Sequence, residues 1–158
     1  MQEVCPLSIF FSGILYRCRK VLSQSIAAML RVAQADKRDS VVVVGSGAVG
    51  LAALLSLRML PNPPKVIIAV DIVASRLEYA KSRGATHTIN SQETPDLKAE
   101  LMKITDGAGA EAAIDTTGRP DVIETLLKSA AKKGVVVTVG VGKVRGTQCL
   151  GFLDVDYD

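Results

Sequence analysis

Four consecutive β-branched residues, Val41-Val42-Val43-Val44, run straight into Gly45-Ser46-Gly47-Ala48-Val49-Gly50, and this junction constrains the chain more than any other stretch. A run of valines suits a strand buried on both faces of a parallel sheet. The Gly-x-Gly-x-x-Gly then opens an apolar helix through Leu51, Ala52, Ala53 and Leu54. In such a strand–turn–helix unit each glycine serves a different end. Gly45 turns the chain sharply, Gly47 lets backbone come close to a pyrophosphate, and Gly50 lets the helix pack on the sheet. The anion would lie at the helix N-terminus, against the N–H groups of Gly47, Ala48 and Val49, where the helix dipole favours negative charge.

A second apolar strand, Lys65 to Val70, ends at Asp71, roughly 20 residues beyond Gly50, the spacing of the acid that bonds the adenosine ribose in a dinucleotide-binding unit. A carboxylate there accepts from two ribose hydroxyls and repels a 2′-phosphate, so NAD is expected over NADP. Arg76 is placed to cover the adenine or to supply charge to a phosphate; as a solvated helix residue it would do neither. A structural glycine turn in another kind of α/β domain, with Asp71 capping the next helix, is the plain alternative.

At 158 residues the chain has room for one domain with a real core. The net charge of +3 is spread along the sequence without a basic block, which argues against nucleic-acid binding. Cys5, Cys18 and Cys149 form neither a disulfide framework nor a spaced metal clip, so a reducing, cytoplasmic setting is expected. The apolar run from Ile9 to Tyr16 is far short of the ~20 residues of a membrane span, and Glu3 replaces the positive charge of a secretory signal. No membrane partner is expected; a homo-oligomer remains open.

Taken in order, residues 1–18 form an unassigned leader. Lys20 to Ala35 has helical apolar spacing, within a segment 19–36 that precedes the fold. The principal domain is expected over 37–142, and 143–158 diverges, with Cys149 to Leu153 able to pair as an edge strand. Within the domain, helices are expected from about Ala48 to Leu60, Val73 to Ser82, Leu97 to Ile104 and Pro120 to Ala131. They alternate with strands at Val41–Val44, Lys65–Val70, Thr86–Ile89, Ala112–Asp115 and Gly134–Val139. Such alternation means right-handed crossovers and an α/β, doubly wound parallel sheet, the Rossmann fold. Ligands of open sheets bind at the carboxyl ends of the strands. The third and fourth features of that rim are Thr116-Thr117-Gly118 and Gly140-Val141-Gly142, where Thr116, Thr117, Gly140 and Val141 are candidates to receive a nicotinamide ring. His87, the only histidine, lies inside the third strand without a nucleophile beside it, so no catalytic residue is assigned.

These motifs together resemble the cofactor-binding domain of the zinc-type alcohol dehydrogenases, the medium-chain dehydrogenase/reductase family, and its aryl-alcohol branch in particular. The resemblance covers Ala28 to Gly142 and rests on Val41 to Ala53, Ile67 to Ile72 with Arg76-Leu77, Ala80-Lys81, Gly84 to His87, Ile114 to Gly118 and Gly134 to Gly140. It implies NAD(H) binding and hydride transfer between an alcohol and an aldehyde, with a catalytic zinc held by a separate domain. The family's zinc-ligand motifs are absent from this sequence, and Cys5 and Cys18 lack their neighbours, so no metal ligand is expected and both ends read as truncated. Such a chain would be inactive alone. Two other readings stay open: a non-catalytic dinucleotide-binding regulatory module, and an adenosylmethionine-binding, methyltransferase-like protein.

Overall fold

The computed structural model describes residues 33–139 and the backbone of residues 152–154. Six strands form one sheet: β1 Ser40–Val44, β2 Val66–Asp71, β3 His87–Asn90, β4 Ala110–Asp115, β5 Ala130–Thr138 and β6 Phe152–Asp154. Their order is β3-β2-β1-β4-β5-β6. The first five pair in parallel, and β6 runs antiparallel against β5, with Leu153 opposite Val136. Between β1 and β4 the order reverses, and the crevice at such a reversal is where doubly wound sheets bind ligands.

Among the described residues four helices cover the sheet: α1 Ala48–Arg58, α2 Ala74–Ser82, α3 Leu97–Ile104 and α4 Pro120–Lys128. Alternate residues of a strand point to opposite faces, so the valine run of β1 serves both. Val41 and Val43 pack with Leu54 and Leu57 of α1 and Leu77 of α2, while Val42 and Val44 pack with Leu101 of α3 and Leu126 of α4. All of these side chains are buried. Two apolar layers thus hold the central strand level, and its carboxyl end is held with it.

The expected helix at Leu97–Ile104 has those bounds, and Asp96 caps it by accepting from the Ala99 N–H at 3.0 Å. Elsewhere the boundaries differ. α4 stops at Lys128 instead of Ala131, and β5 starts at Ala130 instead of Gly134. Gly109 accounts for this: its φ is +82°, and a Cβ there would lie 2.8 Å from both the Ala131 nitrogen and the Ser129 oxygen. Bare backbone at Gly109 admits the Ser129–Ala131 segment, the Ala110 N–H donates to the Ser129 carbonyl at 2.9 Å, and the chain joins the sheet early. The same pairing starts β4 at Ala110, two residues ahead of the expected Ala112. Lys133, at φ +64°, marks the irregularity that restores the register at Ala112 and Val135.

β3 starts one residue later than expected, after Thr86, whose N–H donates to the Ile67 carbonyl and whose hydroxyl oxygen accepts from the Ile67 N–H. Gln34 has left-handed backbone and Ala35–Lys37 is a 3₁₀ turn, so the helix expected to run through Ala35 is broken there; the rest of that helix, and the leader, lie outside the described residues. The pairing expected from Cys149 to Leu153 falls on Phe152–Asp154. Among the described residues no helix is long and apolar enough to cross a membrane.

Gly107 and Gly109 separate conformational strain from collision, since both have positive φ but a Cβ on Gly107 meets nothing within 4 Å. Urea titration should show Gly107→Ala losing about 1–2 kcal/mol, the penalty of left-handed backbone, and Gly109→Ala losing clearly more. Equal losses would remove close approach as the reason β5 starts at Ala130.

Candidate functional site

The three glycines of the turn answer to different constraints. Gly45 needs its lack of a side chain for conformation, at φ +91°, and for contact: a Cβ would clash with Thr116 Oγ1, at 2.3 Å. Gly50 needs it for contact alone, because a Cβ would fall 1.7 Å from the Gly45 carbonyl oxygen. Gly47 has no such reason among the described residues, having ordinary backbone (φ −78°) and none of their atoms within 4 Å of where a Cβ would stand. The space above it is open. Gly47 is also the N-cap of α1, where no side chain caps the helix and no acid occupies the first turn. The first intrahelical bond runs from Leu51 N–H to the Gly47 carbonyl at 2.9 Å, so the first turn, with exposed Ala48 and half-buried Val49, offers N–H groups and the positive end of the dipole to that space. The arrangement fits the pyrophosphate of a dinucleotide.

Asp71, the last residue of β2, is buried, and both of its oxygens are engaged. Oδ2 accepts from the Ser46 N–H at 2.6 Å, and Oδ1 accepts from the Val73 N–H at 2.9 Å. The carboxylate therefore ties the end of β2 to the glycine turn after β1. Each oxygen keeps a second lone pair, so ribose hydroxyls can still be accepted. Ile72 next to it is 54% exposed, unusual for a residue adjoining a buried strand. Beside it opens a cavity of about 610 Å³, bordered also by Ser91, Gln92, Arg119 and Val122. Arg76 lies exposed on α2, where its N–H donates to the Val73 carbonyl; its guanidinium makes no bond among the described residues.

Thr116 and Thr117, the cofactor candidates at the end of β4, spend both hydroxyls inside the protein. Thr116 Oγ1 donates to the Val44 carbonyl at 2.8 Å, and Thr117 Oγ1 donates to Asp115 Oδ1 at 2.6 Å. Their contribution to the rim is through backbone and shape. The residue organising them is Asp115, fully buried, which also accepts from the N–H groups of Thr117 and Gly118 and from Thr138 Oγ1 on β5. Sequence reasoning passes over it, although an acid closing an apolar strand ahead of Thr-Thr-Gly carries the signal of an Asx turn. Ser46 and Ile72 are passed over too, since a serine between glycines and an isoleucine beside a strand have no distinctive pattern. Gly140 and Val141 lie outside the described residues.

At the mouth of the cavity, Arg119 and Asp121 form a two-point ion pair, with Nη2 to Oδ2 at 2.6 Å and Nε to Oδ1 at 3.1 Å. Hydrogen bonding from the Arg119 guanidinium holds the Asp121 carboxyl below the usual range. His87 is exposed, its Nδ1 2.9 Å from Thr86 Oγ1, and stands three residues below the Asn90–Asp71 level of the rim. Among the described residues no three His, Cys, Asp or Glu side chains are grouped to hold a metal, so they do not fit a catalytic zinc.

The sequence profile of the family described as zinc-binding dehydrogenases matches residues 48–155, more than half of the chain. The chain belongs to the zinc-binding dehydrogenase family. Zinc-type alcohol dehydrogenase B of Aspergillus flavus is 36% identical over 103 residues, covering 65% of this chain and 24% of that protein. Alcohol dehydrogenase 1 of Solanum tuberosum is 35% identical over 143 residues, covering 89% and 34%. Among solved structures, the benzyl alcohol dehydrogenase of Acinetobacter calcoaceticus superposes with a TM-score of 0.78 at 32% identity, covering 94% of this chain and 39% of that one. The chain thus spans about a quarter to two-fifths of the length of these dehydrogenases. The described residues have the Rossmann-type α/β fold of the portion of these dehydrogenases that they match.

Asp71 holds two N–H donors, and Asn can offer its single oxygen to one of them only. Asp71→Asn should lower the unfolding free energy of the ligand-free protein by about 1–3 kcal/mol in urea. An unchanged midpoint would mean that the carboxylate does not brace the turn.

Proposed function

We propose that this chain binds NAD(H) and serves hydride transfer between an alcohol and an aldehyde within a dehydrogenase of the zinc-binding family. The observation that carries the reading is the open space over Gly47, bounded by the uncapped first turn of α1 and by Asp71. A glycine that the packing of the described residues does not require, at the spot where anion-binding N–H groups converge, is explained by a ligand whose phosphates approach the backbone there.

Under this reading the N–H groups of Gly47, Ala48 and Val49 hold the pyrophosphate, and Asp71 accepts from the adenosine ribose. Ile72 lends an apolar surface to the adenine at the mouth of the cavity, and Arg76 covers its outer edge. Gly140 and Val141 meet the nicotinamide end, together with the backbone that follows Thr116 and Thr117. Bound there, the nicotinamide supplies the hydride-accepting carbon. The protein's part is to hold the ring's position through a rim whose strand ends are bonded to one another. A 2′-phosphate would meet the buried Asp71 carboxylate without a facing cation among the residues that bond it, which favours NAD over NADP. The aryl alcohols are the proposed substrate class, supported by the likeness to the benzyl alcohol dehydrogenase. The scattered cysteines support the cytoplasm as its compartment.

A thermal-shift series with NADH, NADPH and adenosylmethionine tests the reading. A ligand at about a hundred times its Kd adds roughly 2.7 kcal/mol to stability, so NADH should raise Tm most and adenosylmethionine should leave it unmoved. A rise with adenosylmethionine alone would overturn the assignment. Asp71→Ala should bring the NADH and NADPH affinities together; the ratio is the readout, because loosening the turn weakens both. A ratio unchanged from wild type would remove Asp71 as the basis of the preference.

A further inference from the structure

Ser46 stands between Gly45 and Gly47, at the centre of the turn that the proposed dinucleotide covers. Its N–H is held by Asp71 Oδ2 at 2.6 Å, and the residue is 1% exposed. Its hydroxyl is buried with no hydrogen-bond partner, the one such side-chain oxygen among the described residues. Buried hydroxyls without a partner are costly and rare, and a methyl group in the same place would carry no such penalty. The turn therefore contains a polar group that no described residue pairs.

We infer that the Ser46 hydroxyl is a contact for the adenosine-diphosphate half of the cofactor, presented by rotation about its Cα–Cβ bond. The inference rests on the dinucleotide reading above. Ser46 lies between the two groups that reading assigns to this half: its own N–H is bonded to the ribose acceptor Asp71, and the next residue, Gly47, begins the uncapped turn that faces the pyrophosphate. Ribose hydroxyls and phosphate oxygens are the partners a hydroxyl can serve, since it both donates and accepts. In its present orientation Oγ is enclosed, so no ligand atom reaches it without a change of rotamer. Serine is unbranched and moves among three staggered wells. A ligand that offers a hydrogen bond selects the rotamer that meets it, and the pairing that the described residues do not supply is then made in the complex.

The test compares wild type with Ser46→Ala and Ser46→Cys, following the fluorescence of NADH and its displacement by ADP-ribose. Losing one such hydrogen bond should weaken both ligands by about five- to tenfold. The ligand-free Ser46→Ala protein should melt no lower than wild type, a combination that a merely structural serine would not give. Cys has a similar volume and a weak donor, and Ser46→Cys should bind as weakly as Ser46→Ala. Unchanged affinity in Ser46→Ala, a lower melting point of its ligand-free form, or wild-type affinity in Ser46→Cys would each overturn the inference while leaving the dinucleotide reading intact. A wild-type chain that binds neither NADH nor ADP-ribose would overturn that reading, and the inference with it.

Discussion

The approach of Gly50 to the carbonyl of Gly45 is the constraint on which the rest of this structure depends. A single methyl group at Gly50 would stand 1.7 Å from that oxygen, inside any permitted contact. Because nothing intervenes, α1 begins directly over the exit of β1, and its unbonded N–H groups gather at the crevice between β1 and β4. Leu54 and Leu57, further along the same helix, then fall onto Val41 and Val43. The position of the uncapped first turn and the packing of the apolar core are thus consequences of one close approach.

Two buried carboxylates keep the rim of the sheet in order. Asp71 and Asp115 each close a strand beside β1, and each accepts from the N–H two residues ahead. Each also reaches across to another element, Asp71 to the turn after β1 and Asp115 to Thr138 on β5. Buried carboxylates persist in proteins when their hydrogen bonds are satisfied, and here backbone N–H groups supply those bonds to Asp71, joined at Asp115 by the hydroxyls of Thr117 and Thr138. The acid that the proposed reading assigns to the ribose is thereby a structural element before any ligand arrives. A group with both roles sets the shape of the turn and its affinity together.

How much of this could be read from the residues differs from element to element. The Val41–Val44 strand, the glycine turn and the Leu97–Ile104 helix were legible because each has a local cause: β-branched bulk, bare backbone and an Asp96 cap. The start of β5 was not, since Ala130 and Ala131 suit a helix as well as a strand and the deciding contact comes from Gly109, twenty-odd positions earlier. The threonines after β4 show the opposite case: they stand at a strand end, as read, but their hydroxyls turn inward, because whether a hydroxyl faces solvent or the protein depends on neighbours, and Asp115 lies close by but Val44 is far off in sequence.

By itself the order of residues determined the alternation of strand and helix, the α/β class, and the glycine turn with an acid one strand later, all of which follow from side-chain bulk and backbone freedom acting over a few positions. Tertiary structure alone decided that Asp71 braces the turn, that Asp115 joins β4 to β5, that space remains over Gly47, and that the Ser46 hydroxyl is enclosed without a partner. Each of these is a contact, or the absence of one, between segments well separated in sequence, and such distances take definite values only once two hydrophobic layers have pressed the strands into register.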